Sequence, residues 1–515
     1  MILINSGGYV ITEIEEEYGK IPPCFLPIAN KSLLTYQIKN LKKNFPKDRI
    51  YLSLPIDFKV SLFNQEFLNK NNIIVIRTNS NLPLKRSVLN VLKKINKNEN
   101  EDIKMLHGDN LLLEKISSKK NILGLVERNE LYNTHEVINI SDKQYTWSGF
   151  FNFSNKKLLM KCLSAGSNFV DAIKRYNDRK KLRYNFQKKW FDLGHVNTYF
   201  KSRSLIISSR HFNKIKVSEN VIIKRSFDKS KIKSEYLWYK NLPLNLKKYT
   251  PKLIEYKEFK KMSQYSMEYL PLNPLNELFV YGKNPILFWE KVFLIINKLL
   301  KDLKSIDKFN LKQIKKNRNW LIEKKSNLRL NSLSKLNFLD INHNYYYNFK
   351  KMPSLNEMTR WCIEKSKKNQ IIPAVIHGDL CLSNILFNSR INSIKIIDPR
   401  GLGYNDKLSI YGDQNYDLAK LVHSIVGMYD HIISGKFKLE DFKSKSMRIN
   451  FETSKRLKEV QSLFINKIIG KEKFKNILPQ VILLFINMLP LHKDKRDIQK
   501  AIFANCLKLY SLSEK

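Results

Sequence analysis

The chain has 515 residues, 43% of them hydrophobic and 11% aromatic, and a formal net charge of +45. Its length exceeds one ordinary core and points to two to four domains at roughly 150 residues each, and its apolar content excludes a chain disordered by composition. The charge excess is mostly Lys, spread along the chain among Ile and Asn. These three residue types share A/T-rich codons. No basic stripe with interleaved aromatics and no Arg-rich arm is present, so specific nucleic-acid binding is not expected, although a basic surface favours phosphorylated substrates. Five scattered cysteines (Cys24, Cys162, Cys362, Cys381, Cys506), with no CxxC, fit a reducing compartment and argue against structural zinc.

In chain order, "MILIN" reads as a buried strand entering the small-residue turn "SGG". A Pro-marked loop, "GKIPPCFLPI", follows, then an amphipathic helix in "LLTYQIKNLKKNF" and apolar strands "IYLSL" and "NIIVIRT". "KMLHGDNLLLE" is a further strand ending in an acidic loop. Strands alternating with helices predict a Rossmann-like α/β domain over residues 1–203. Residues 204–226 read as an antiparallel meander turning at "SEN". From about 280 the pattern is helical, and the Lys-rich stretch 299–340 reads as a solvated helical insertion. The second domain, 204–515, is therefore expected to be α+β, with a small β-rich lobe (204–270) and a helical lobe (271–515). The apolar run "ILPQVILLFINMLPLH" (477–492) is short and interrupted, which predicts a buried helix and no transmembrane segment. The N-terminus has no basic region before an apolar core, so no signal peptide is expected and the expected location is cytoplasmic.

The chemistry-bearing stretch is "HGDLCLSNIL" (377–386), followed by "IIDPRG". Phosphoryl transfer to a hydroxyl needs a base at the hydroxyl and metal ions on the phosphates. Asp379 and Asn384 have the D-x-x-x-x-N spacing, and Asp398 ends an apolar strand. The intervening "FNSRIN" reads as a hairpin that returns Asp398 to Asn384. Upstream, "VIIKRS" places Lys224 on a strand, and Glu235 lies eleven residues later in a helical pattern, the pair that fixes nucleotide phosphates. "YSMEYLPL" reads as a hinge, with Glu268 and Tyr269 near the adenine. Ser208 and Ser209 in "SSRHFN" are the candidates for the phosphate-covering turn.

This half resembles the aminoglycoside phosphotransferase and choline kinase family, on "HGDLCLSNIL", "IIDPRG" and "YGDQNYDLAKL" (411–421). The resemblance implies a bilobal protein-kinase-like fold using ATP and Mg²⁺. It implies Asp379 as base, Asn384 and Asp398 as metal ligands, Asp417 as a structural acid, and His377 in a supporting role. The Pro399 after Asp398 stands where protein kinases have their switch Phe, so regulation by loop flipping is not expected.

The first half resembles sugar-nucleotide pyrophosphorylases and cytidylyltransferases, on "INSGGYV", "PPCFLPIANKSLLTYQIKNL", "LHGDNLL", "WSGFFNFSN" and "KWFDLGHVNTYF". That resemblance implies a nucleotide cradle at Gly7 and Gly8, metal aspartates at Asp109 and Asp192, and CTP or UTP as substrate. Two departures stand out. The Arg that usually follows the glycines is replaced by an acidic run (Glu13, Glu15, Glu16, Glu17), which reads alternatively as a solvated helix face. The Lys of the Pro-Lys loop is replaced by Cys24, leaving Lys20 and Lys31 as substitutes. Two readings stay open: a kinase coupled to a nucleotidyltransferase acting on a small alcohol, amino alcohol, polyol acid or sugar, or a kinase beside an inactive nucleotide- or sugar-binding domain. The resemblances imply a place in bacterial surface-polysaccharide synthesis.

Overall fold

The computed structural model describes residues 1–95, 101–128, 136–206, 213–218, 220–304, 309–333, 339–401 and 409–513. The chain divides into two compact units, 1–207 with 281–284, and 208–280 with 285–515.

The first unit is built on strands β1 (Ile2–Asn5), β2 (Ile50–Pro55), β3 (Ile73–Thr78), β4 (Ile103–His107), β5 (Asn110–Leu112), β6 (Ile122–Glu127), β7 (Val137–Ile140), β8 (Lys143–Phe153), β9 (Arg183–Phe186) and β10 (Trp190–Asp192). The main sheet runs β9-β6-β8-β4-β1-β2-β3, with β7 on β8, and β5 pairs with β10 separately. Pairs β4–β1, β1–β2 and β2–β3 are parallel, whereas β8 runs antiparallel to β4 and β6, so the sheet is mixed.

Strand alternation sorts the core onto two faces. Ile2, Ile4 and Leu106 join one cluster, with Leu34, Ile38 and Leu41 of α2 (Leu33–Asn44). Leu3 and Met105 join the other, with α3 (Leu84–Lys94), α4 (Lys156–Ala165) and α5 (Phe169–Arg179). The side chains of Asn155 and Asn168 cap α4 and α5 by accepting the N–H groups of Leu158 and Asp171. The acidic run forms α1 (Thr12–Tyr18), where Glu13, Glu15 and Glu16 are solvated as a helix face should be, but Glu17 is buried. Residues 204–206 are not a strand: they complete α6 (Val196–Ile206), which buries Tyr199 and Phe200.

The second unit opens with β11 (Asn213–Ser218), β12 (Val221–Ser226), β13 (Leu253–Glu258) and β14 (Ser263–Glu268), an antiparallel sheet in the order β11-β12-β14-β13. Helix α7 (Lys229–Asn241), capped by Asp228, packs on it. The helical lobe contains α8 (Ile286–Lys304), α9 (Leu311–Asn319), α10 (Lys325–Asn331) and α11 (Leu355–Lys368). A hairpin of β15 (Ile385–Asn388) and β16 (Ser393–Ile396) leads to α12 (Asn415–Ile425), α13 (Lys471–Met488) and α14 (Arg496–Ser513).

The stretch 299–340 is not the solvated insertion expected, because Leu299, Leu300, Leu303, Ile314, Leu321, Ile322 and Leu330 are buried among its lysines. A single π-helical turn, Trp320–Lys324, joins α9 to α10. The late apolar run belongs to a longer helical stretch, Lys471–His492, long and apolar enough to cross a membrane, yet 67% of its most apolar window is buried within the protein. All five cysteines are free and buried.

Candidate functional site

In the second unit, antiparallel register puts Lys224 on β12 opposite Tyr265 on β14. Its Nζ lies 2.7 Å from Glu235 Oε2 and 2.9 Å from Asp398 Oδ1. The Lys224 and Glu235 side chains are only 5% and 3% exposed. Tyr265 donates to the same Glu235 oxygen at 3.0 Å, so the buried carboxylate has two donors. Burial would depress Lys224, but the charges of Asp398 and Glu235 outweigh it and hold the ammonium above its ordinary range. Burial raises Glu235, opposed by Lys224.

The β15–β16 hairpin pairs Ile385 with Ile396, and the Ile397 N–H donates to Asn384 O at 3.0 Å. This brings the backbone beside Asp398 to Asn384, as the "FNSRIN" reading expects. Asp398 has a left-handed backbone (φ 59). The Asn384 amide donates to Asp379 O at 2.8 Å and to Oδ2 at 3.2 Å. An amide oxygen and a carboxylate on adjoining strand ends are hard oxygen donors, the donor type Mg²⁺ takes.

Asp417 is buried on α12 and accepts the N–H groups of His377 (2.7 Å) and Gly378 (2.8 Å). It therefore clamps the backbone entering Asp379. Burial pushes its carboxyl up to about 7 against those two donors. His377 is fully buried, its Nε2 2.9 Å from Ile397 O and its Nδ1 accepting the Asp379 N–H at 3.2 Å. Burial holds it down to about 4, so it is a neutral brace between the two acidic loops.

Four side chains around the Asp379 loop went unread in the sequence. Lys420 Nζ lies 2.8 Å from Asp379 Oδ1, and Asp379 stays 43% exposed. Burial would raise Asp379, but Lys420 outweighs it and holds the carboxyl well below its usual range. Tyr416 OH and Lys325 Nζ are 3.4 Å apart. The Arg400 guanidinium lies over the Trp320 ring at 5.2 Å. The only sequence signal was the position of Lys420 three residues after Asp417, on the same helix.

Glu268 and Tyr269 end β14 as expected of a hinge, but their N–H groups donate to Lys252 O and Asn220 O. Those two donors are used within the lobe. Ser208 and Ser209 lie outside the described residues.

In the first unit, Asp109 and Asp192 come together where β5 pairs with β10. The Leu193 N–H donates to Asp109 O at 2.9 Å, and a Cβ added to Gly194 would meet Asp109 Oδ2 at 2.5 Å, so only glycine permits this approach. Burial, then the charge of Asp192, pushes Asp109 up to about 6. Asp192 is 2% exposed and accepts from Gly194 N (3.0 Å) and Thr198 Oγ1, with His195 Nδ1 at 2.9 Å. A Cβ at Gly7 would lie 2.4 Å from Thr78 Cγ2, whereas one at Gly8 would make only ordinary contact, 3.8 Å from Ser80 O. Lys20 pairs with Asp57 at 3.5 Å and lies over the ring of Tyr9, the residue after Gly8. Lys31 is exposed. Among the described residues no group of three or more His, Cys, Asp or Glu side chains is arranged to hold a metal ion.

No protein-family model matches the chain, and no curated protein matches it. Among solved structures, the nucleoside-diphosphate-sugar pyrophosphorylase from Vibrio cholerae RC9 is similar over 39% of this chain and 99% of its own, at 12% identity and TM-score 0.32. The inositol-1-phosphate CTP transferase from T. maritima covers 40% of this chain and 97% of its own, at 14% identity and TM-score 0.31. A thermostable mutant of aminoglycoside phosphotransferase APH(4)-Ia covers 60% of this chain and 92% of its own, at 9% identity and TM-score 0.38. These neighbours fall into the two classes that the sequence resembles, each over part of the chain.

Proposed function

We propose that the second unit transfers the γ-phosphoryl group of ATP to a hydroxyl of a small molecule. The observation that carries this reading is the Lys224–Glu235 pair with Asp398 at its other side, at 2.7 and 2.9 Å. Lys224 binds the α- and β-phosphates and Glu235 keeps its ammonium aimed. Asn384 and Asp398 would hold Mg²⁺, which neutralises charge developing on the phosphates when bound. The Glu268–Tyr269 segment borders the adenine. Asp379 accepts the proton of the acceptor hydroxyl as its oxygen attacks phosphorus, and ADP departs.

For the first unit, the adjoining Asp109 and Asp192 support metal-dependent nucleotidyl transfer from CTP or UTP onto the phosphorylated product. The two activities would then make an NDP-activated group of the kind used in surface polysaccharides. A second reading, a kinase beside a unit that only binds nucleotide or sugar, is favoured by the solvated Glu13, Glu15 and Glu16 and by Lys20 being held on Asp57.

The test compares Asp379→Asn with Asp398→Asn by calorimetric ATP affinity and ADP release across a panel of alcohols and sugars. Asn cannot take a proton, so Asp379→Asn should lose ~10²–10⁴ in rate while keeping ATP affinity. Asp398→Asn should lose both. Near wild-type turnover in Asp379→Asn refutes the assignment. Pyrophosphate release with CTP or UTP, lost in Asp109→Ala, decides between the two readings of the first unit.

A further inference from the structure

The mouth of the Asp379 loop is bordered by more positive charge than its carboxylates balance. Lys420 is paired, to Asp379 at 2.8 Å. Among the described residues the Lys325 ammonium meets the Tyr416 hydroxyl, at 3.4 Å, and no carboxylate. Arg400 is anchored by its backbone, whose N–H donates to His377 O at 2.8 Å, and its guanidinium rests on Trp320. Among the described residues neither Lys325, Arg329 nor Arg400 forms an ion pair. All three are half-buried, and placing half-buried cations together without counter-charge is costly; helix α10 supplies two of them and the segment after Asp398 the third.

The local structure is shaped for this. In the π-helical turn the Lys325 N–H reaches back five residues to Trp320 O. Such turns re-aim side chains and recur at functional sites. Here the turn joins the Trp under Arg400 to the Lys beside Tyr416. Tyr416 and Lys420 are four apart on α12 and so share a face.

The electrostatics agree. Burial pushes Lys325 down to about 8, helped by Arg400 and Lys420. Tyr416 is brought down to about 8 against its burial by Lys325, Lys420 and Arg400. Arg329 is lowered by burial and by Arg400. Lys325, Tyr416 and Arg400 act on one another, Arg329 feels Arg400, and Lys325 and Tyr416 interact electrostatically with Asp379. The nucleotide-side groups Lys224, Glu235, Tyr239 and Tyr265 respond instead to Asp398.

We propose that the cluster of Lys325, Arg329 and Arg400, with the Tyr416 hydroxyl, is the acceptor site, and that it selects an acceptor carrying a carboxylate or phosphate group beside the hydroxyl presented to Asp379. This deepens the kinase reading and rests on it. The acceptor anion supplies the missing counter-charge, with Arg400 as the bidentate partner. Lys420 stays with Asp379.

The test uses the full chain with Mg·ATP and matched acceptors: glycerol, glycerate and glycerol 3-phosphate, and a neutral hexose, its uronate and its phosphate. The anionic members should exceed their neutral partner in kcat/KM by 100-fold or more, and the carboxylate and phosphate arms identify which anion is taken. Lys325→Gln and Arg400→Gln should raise the anionic acceptor's KM tenfold or more, with a smaller change in the KM for ATP. Lys325→Arg should restore it, which a folding defect would not allow. Preference for neutral acceptors overturns the inference and leaves the kinase intact, as does a KM increase confined to ATP. Absence of any ATP-induced thermal shift overturns the kinase reading and this inference with it.

Discussion

The Lys420 ammonium sits 2.8 Å from Asp379 Oδ1 and reaches it from a different element, α12. The residue that clamps the Asp379 loop through its backbone, Asp417, lies one helical turn earlier. One helix therefore sets both the position of the proposed base and its proton affinity.

Removing that charge should be visible in a pH–rate profile. In Lys420→Met the burial of Asp379 is no longer opposed by its main cation, so its carboxyl titrates at higher pH. The acid limb of kcat/KM should move upward, with a lower plateau. An unmoved acid limb would show that Lys420 does not set the ionisation of Asp379.

Lys224→Met should damage the fold as well as catalysis. It strips the cation from Glu235, which is 3% exposed. Breaking a buried pair from one side costs about 3–5 kcal/mol. A Glu235→Gln change in the same background should recover part of this, because the amide is neutral and can still accept from Tyr265. Denaturant midpoints of the single and double variants check both statements.

Four histidines, His377, His423 and His431 buried and His107 half-buried, make the protein sensitive to acid. Burial lowers His107 and His377 to about 4 and His431 to about 3, and takes His423 well below its ordinary value. The folded state keeps them neutral while the unfolded chain protonates near 6.5. Their contribution is thus present above pH 6.5 and lost as pH falls toward 4. Asp417, Asp109, Glu235, Asp413 and His195, all raised, act in the opposite sense over part of that window. His431→Phe should remove its share of the acid destabilisation and make Tm depend less steeply on pH between 7.5 and 5, by about one proton.

Asp109→Asn should trade activity for stability. Its raised carboxyl favours folding only while protonated, a gain present below about 4 and lost as pH rises through 6. At pH 8 the neutral amide relieves repulsion from Asp192, worth on the order of 1 kcal/mol, since a tenfold change in proton affinity corresponds to about 1.4 kcal/mol. Thermal melts at pH 8 should show the variant as more stable, and any pyrophosphate release should disappear.

Local spacing made much of the second unit legible. Asp379, Asn384 and Asp398 lie within twenty residues, and a hairpin is the short way to join them. Lys224 and Glu235 could be paired because strand-then-helix order is local. Lys420 could not, since no short pattern says which distant carboxylate a helical Lys will meet. Residues 309–331 were misread for a related reason. Their lysines dilute the apolar positions Ile314, Leu321, Ile322 and Leu330, and a π turn shifts the helical period partway along. At Gly7 the absent side chain makes room for Thr78, a packing need that the sequence pattern does not display.

Gly401 carries a consequence for control. Its φ is +70, and a Cβ there would come within 2.2 Å of Ser234 O, the residue before Glu235. Ser234 Oγ in turn donates to Arg400 O at 3.3 Å. The segment after Asp398 is therefore seated on the helix that carries Glu235, backbone against backbone. That helix cannot swing outward without dragging the Asp398 segment along, so under the proposed function Glu235 and Asp398 would shift as one hinged plate.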